Sequence, residues 1–169
     1  MKAIKLKRKF VEKVKTVKLP NGKWVKIHEA FHNGSVVIIP IKDKKIILER
    51  QYRPVIGKWI YELPAGTIEK GESPEKCARR ELAEETGYVA KKIKKVFVSY
   101  PSPGYSTELQ HFFIATDLQK TKRHLMDHEV IKLKEVTPEE AVEMINKKKI
   151  IDGKTIQAIL FYVFLFREK

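Results

Sequence analysis

Twenty-three residues, Gly66 to Tyr88 (GTIEKGESPEKCARRELAEETGY), constrain this chain more than any other part of it. A glycine loop leads there into a helix. Ser73 is a good N-cap, and Pro74 suits the first helical position, where its missing N–H has no partner to lose. Gly87 supplies a left-handed stop. Within the helix, Glu81, Glu84 and Glu85 stand three and four residues apart. At about 100° per residue they fall on one face, within roughly 100° of arc. Three like charges on one face repel, and a solvated helix gains nothing from them. Hard divalent cations do take oxygen ligands of this kind, and Mg²⁺ is commonly shared between carboxylates and substrate phosphates. Arg80 can pair with Glu84 one turn on, or reach back to Glu72 in the loop. Taken alone, the acidic face fits a charged, solvated helix equally well.

The spacing of the whole stretch tips that balance. Gly66, Glu72, the Arg80-Glu81-Leu82 run, the Glu84-Glu85 pair and Gly87 fall on the pattern G-x5-E-x7-R-E-U-x-E-E-x-G-U, where U is a bulky aliphatic. Only Tyr88 departs from it, and it keeps the bulk. So many fixed positions leave little room for a chance match. The chain resembles the Nudix hydrolases.

At 169 residues the chain is long enough for one domain with a real core. Its 43% hydrophobic and 33% charged residues are those of a soluble globular protein. The single cysteine, Cys77, excludes an internal disulfide and fits a reducing cytoplasm. It sits beside Ala78 at a helical position, as a buried small hydrophobe would. The N-terminus alternates Lys with apolar residues and has no signal-peptide core, and the most apolar run, Ile156 to Phe166, is too short to span a bilayer. A cytoplasmic protein without membrane association is expected. The net charge of +14, with ten Lys or Arg against one acid (Glu12) in residues 1–26, raises nucleic-acid binding as an alternative. Lys alternates through VKTVKL and KWVKI, however, as on the solvated side of a half-buried strand. That reading is preferred, with the positive field helping to attract a small polyanion.

Residues 10–19 and 23–31 read as two strands joined at Pro20-Asn21-Gly22. The segment resembles the N-terminal sheet of the ADP-ribose pyrophosphatase branch of the Nudix family, which implies a homodimer. Within it His28-Glu29-Ala30-Phe31-His32 spells HExxH, a zinc-protease signature that works only on a helix. On a strand the two histidines would stand roughly 13 Å apart, too far to share an ion.

Ser35–Ile41 and Ile46–Tyr52 form the next hairpin, and Trp59–Leu63 leads into Pro64-Ala65-Gly66. The stretch ERQYRP…KWIYELPAG also resembles the ADP-ribose branch. The resemblance implies that Arg53 contacts substrate phosphates and that the Ala65 carbonyl ligates a metal. A short strand, Val96–Tyr100, precedes the turn-rich loop PSPGYSTE. A proline about sixteen residues beyond the Nudix box, Gly66 to Tyr88, marks the branch's substrate loop in that resemblance, and Pro103 holds that place, followed by Gly104 and Glu108. After a strand at Leu109–Ala115, residues 118–129 are expected to form a polar loop. The resemblance gives its acid a role in activating water or binding metal, with Glu129 first and Asp127 second. His124 and His128 in that loop read as a surface pair. Val130–Val136 is a final strand, Thr137-Pro138-Glu139-Glu140 a capping box, and Asp152 the cap of a last helix with Ile156, Ile159, Leu160, Val163 and Phe164 on its apolar face.

The expected fold is α/β (α+β), a mixed β-sheet sandwiched between helices with an N-terminal antiparallel β-sheet extension. Residues 1–33 form that extension, which dimerises, and residues 34–169 form the Nudix domain. The resemblance implies hydrolysis of ADP-ribose to AMP and ribose 5-phosphate. Mg²⁺, with Mn²⁺ as the other candidate, would be held by Ala65, Glu81, Glu84 and Glu85. Glu129, Glu84 and Arg80 are the catalytic candidates, Arg80 and Glu72 chiefly by holding loop and helix in place. Arg53, Pro103, Gly104 and Glu108 are the substrate-binding candidates. A Nudix enzyme for another nucleoside diphosphate derivative and a non-catalytic RNA-binding Nudix fold are the alternatives. The acidic set argues against the latter, since RNA binding gains nothing from concentrated glutamates.

Overall fold

The computed structural model describes residues 10–125 and 130–166. Strands β1 (Val11–Lys18) and β2 (Trp24–Phe31) form the two-stranded antiparallel sheet at the N-terminus. Their turn closes through the Gly22 N–H donating to Leu19 at 2.9 Å, with Gly22 at a φ of 83°. The remaining strands are β3 (Ser35–Lys42), β4 (Lys45–Arg53), β5 (Lys58–Glu62), β6 (Ala65–Thr67), β7 (Tyr88–Ser99), β8 (Gln110–Lys120) and β9 (Ile131–Val136). They run in the order β5-β4-β3-β8-β7, with β6 paired to β3 and β9 to β4. The β3–β8 pairing is parallel and the others antiparallel, so the sheet is mixed.

Strand β3 shows why the layers form. A strand buried on both faces reads as one continuous apolar run, and its alternate side chains serve different cores. Val36 and Ile38 join Cys77, Ala78 and Leu82 of the box helix, together with Phe113 and Ala115 of β8. Val37 and Ile39 join Phe112 and Ile114 of β8, with Met144 and Ile159 from the C-terminal helices. Helix α1 (Pro74–Glu81) therefore covers one face, and α2 (Pro138–Asn146) and α3 (Gly153–Phe161) the other. Truncating Ile38 or Ile39 to Ala would cost about 2–5 kcal/mol.

The capping chemistry behaves as expected. Thr137 and Glu140 make a reciprocal box, and Asp152 accepts the Thr155 N–H at 3.0 Å. Three expectations need correction. Strand β7 begins at Tyr88, well before Val96, because the lysines of AKKIKK point outward from an edge strand paired with β8. Strand β8 extends to Lys120, which shortens the polar loop after it. Beyond α3 the helix widens into a π-helical turn, Tyr162–Phe166, and Phe164 is exposed while Val163 packs on the core.

Candidate active site

Helix α1 begins where its sequence dictates: Ser73 accepts the Lys76 N–H at 3.3 Å, and Pro74 follows. It continues into a π-helical turn, Leu82–Thr86, that ends at Gly87 with a φ of 71°. Such widening is frequent at functional sites. Within it the two adjacent glutamates differ in burial. The Glu84 side chain is 42% exposed, whereas Glu85 is buried. Glu85 accepts the Ala65 N–H at 3.0 Å. Glu81 lies over Gly66 so closely that a methyl there would fall 1.9 Å from its carboxyl carbon. That contact is the physical reason for a glycine at position 66. Tyr88 and Cys77 are both buried, and burial pushes the Cys77 thiol pKa up, as suits a packing residue.

Arg80 is the hub beneath these acids. It donates to both oxygens of Glu72 at 3.0 Å, to Glu81 at 2.7 Å and to Glu84 at 3.1 Å. Both partners that the sequence left open are therefore engaged. The hydrogen bonds from Arg80 hold the Glu72 carboxyl at a pKa of about 2, against the opposing effect of burial. Among the described residues no three His, Cys, Asp or Glu side chains are gathered as a ready metal cage, and the Arg80 guanidinium bridges Glu81 and Glu84. The donor set still fits a hard divalent cation. It is all oxygen, with Glu81 and Glu85 held against the Ala65–Gly66 backbone in a cradle that any side chain at 66 would fill.

Ala65 and Gly66 also line a cleft of about 460 Å³, a size suited to a small-molecule ligand. Arg53 and Glu108 line it with them. Arg53 makes a two-pronged contact with Glu62, Nε to Oε2 at 2.6 Å and Nη2 to Oε1 at 3.0 Å. Burial opposes its charge, and the Glu62 hydrogen bonds and charge outweigh that effect and raise its pKa. Glu108 accepts from the Ser35 hydroxyl at 2.6 Å. Pro103 and Gly104 stand apart from this group, exposed at the tip of the loop. Strand β2 docks on that loop, with the Ala30 N–H donating to Tyr105 at 2.8 Å and the Thr107 N–H to Ala30 at 3.2 Å.

The histidines of HExxH serve separate ends. His28 on β2 contacts Glu12 on β1 at 3.2 Å, while His32 accepts the Gly34 N–H through Nδ1 at 3.0 Å and lines the cleft. Sequence reasoning missed His32 as a cleft residue, and also missed Glu62 and Lys154. An acid inside the apolar run WIYELP was the available signal for Glu62.

After β8 the chain returns to the carboxylate helix. The Thr121 N–H donates to Gly87 at 2.8 Å, the His124 N–H to Glu84 at 3.2 Å, and the Arg123 Nε to the Glu85 carbonyl. These donors satisfy carbonyls that a helix end leaves without partners. Asp127, His128 and Glu129 lie outside the described residues.

The NUDIX domain model matches residues 31–159, and the chain belongs to that family. It is 42% identical over 151 residues to an ADP-ribose pyrophosphatase of Bacillus subtilis (strain 168), covering 88% of this chain and 82% of that protein. It is 39% identical over 151 residues to a methanol dehydrogenase activator of Bacillus methanolicus, with the same coverage of 88% and 82%. It is 33% identical over 141 residues to a GDP-mannose pyrophosphatase of Shigella flexneri serotype 5b (strain 8401), covering 77% of this chain and 72% of that one. The crystal structure of an ADP compounds hydrolase superposes with a TM-score of 0.81 at 22% identity, over 99% of this chain and 89% of that one, and shares the fold.

Proposed function

We propose that this chain hydrolyses the pyrophosphate bond of ADP-ribose to AMP and ribose 5-phosphate. One observation supports the reading: Ala65 and Gly66 line the same cleft as Arg53 and also carry the contacts to Glu85 and Glu81. The relative at 42% identity supports the substrate. Glu81, Glu85, Glu84 and the Ala65 carbonyl would hold Mg²⁺, or Mn²⁺ in its place. A bound divalent ion supplies neutralisation of phosphate charge and a more acidic water. Arg53 binds the phosphates with the guanidinium edge that Glu62 leaves to the cleft. Arg80 keeps Glu81 and Glu84 in position while Glu72 anchors it. Glu108, with Pro103 and Gly104 on the loop before it, contributes to substrate binding. Glu129, or Asp127 beside it, accepts the proton of the attacking water.

A cytoplasmic homodimer belongs to the same reading. Residues 1–33 would supply the dimerising extension, since β1 and β2 expose Val11, Val14 and Trp24, apolar side chains that a second copy would cover. Among the described residues no helix is long and apolar enough to cross a membrane.

The GDP-mannose pyrophosphatase relatives favour a second substrate class, the nucleotide sugars. A panel of ADP-ribose, GDP-mannose and a diadenosine polyphosphate separates the two. ADP-ribose should give the highest kcat/KM. A panel led by GDP-mannose would keep the enzyme class and move the substrate.

A further inference from the structure

We propose that Lys154 is a second phosphate-binding cation of the cleft, set beside Arg53 by the buried carboxylate of Glu62. The inference rests on the pyrophosphatase reading and names a residue that reading does not use. Three distant parts of the chain meet here: Arg53 ends β4, Glu62 ends β5, and Lys154 lies in the first turn of α3. The Lys154 ammonium donates to Glu62 Oε1 at 2.5 Å and forms an ion pair with Asp152 Oδ2 at 2.9 Å. Exposure rises toward the cleft, from 3% for the Glu62 side chain to 15% for Lys154 and 34% for Arg53. The carboxylate therefore sits behind and the cations in front.

A carboxylate that deep needs a partner, and one cation would neutralise it. Two are present. An ammonium has three donors and a guanidinium five; Glu62 takes one of the former, beside the ion pair with Asp152, and two of the latter. The remaining donors belong to side chains that line the same cleft. Asp152 is also occupied as the cap of α3, accepting from the Thr155 N–H at 3.0 Å and hydroxyl at 2.6 Å. A diphosphate offers two adjacent anionic groups, and two adjacent cations match it.

The test is calorimetric titration of inorganic pyrophosphate into the full chain in EDTA. Lys154→Met should weaken binding about tenfold, the scale of one charge-assisted hydrogen bond, and Lys154→Arg should restore most of it. In turnover, Lys154→Met should raise KM for ADP-ribose by a similar factor, with kcat changed less than about threefold. Unchanged pyrophosphate affinity alongside a lower Tm would reduce Lys154 to a structural ion pair and overturn the proposal. So would failure of the unsubstituted chain to bind pyrophosphate. Should Lys154→Met not fold, acetic anhydride labelling of the unsubstituted chain decides. Saturating pyrophosphate should protect Lys154 and leave Lys42, which pairs with Glu135, unaffected; equal labelling of Lys154 with and without pyrophosphate overturns the clamp. Pyrophosphate binding without hydrolysis of any nucleotide would remove the enzymatic reading and keep the clamp. Hydrolysis indifferent to Lys154 would do the reverse.

Discussion

The two sides of the candidate site are built in opposite ways. The carboxylates come from one continuous helix and are fixed by short-range geometry: Glu81 over Gly66, Glu85 on the Ala65 N–H, and Arg80 beneath. The cations come from the end of β4 and the start of α3, and they meet at Glu62, the end of β5, only because the sheet and helix have folded. A local motif can carry chemistry that depends on ligand spacing. A charge cluster around one buried acid needs the whole domain. Substitutions on the two sides should accordingly fail in different kinetic constants.

The largest effect is expected at Glu85→Gln, which keeps shape and removes a ligand charge. At saturating Mg²⁺ its kcat should fall at least ~10²-fold, since charge stabilisation of this kind contributes several kcal/mol. Near-parental turnover from a folded variant would remove the carboxylate side from the chemistry. Gly66→Ala probes the same side through shape alone. The added methyl would collide with Glu81, so kcat should drop by about tenfold or more, and stability by about 1–3 kcal/mol in thermal melts. An unaffected variant would show that Glu81 has no need of its place over residue 66.

On the cation side, Arg53→Gln should act mainly on KM, raising it about tenfold to a hundredfold, the worth of a charge-assisted hydrogen bond to phosphate. A loss confined to kcat would erase the contrast between the sides. The smallest effect concerns acid stability. The Glu72 carboxyl has its pKa lowered to about 2 in the folded chain, first by hydrogen bonds from Arg80. Its contribution is therefore complete above an unfolded pKa of about 4.3 and lost as pH falls through about 2. Glu72→Gln should lower Tm at pH 7 by roughly 3–10 °C and flatten the decline of Tm between those two pH values. A parallel decline in both proteins would discount the Arg80–Glu72 pair.

The same contrast governs how much was legible in the sequence. Ser73, Pro74 and Gly87 announced α1 because caps and stops act over one turn, and Glu81, Glu84 and Glu85 announced the acidic site because their spacing is local. The pattern did not disclose the π-helical turn at Leu82–Thr86, nor that Glu85 is buried beside a partly exposed Glu84. Strand β7 was read too short because edge lysines blur the alternation that marks a strand. Glu62 and Lys154 lie 92 residues apart, and nothing local ties one to the other. His32 was singled out for a zinc motif that strand β2 forbids, and just beyond that strand it lines the cleft.

The most direct test of the two-sided cleft is product identification. The purified chain, given ADP-ribose and Mg²⁺, should release AMP and ribose 5-phosphate in equal amounts and stop on addition of EDTA. Release of ADP with free ribose, or no hydrolysis of any nucleoside diphosphate derivative under those conditions, would contradict it.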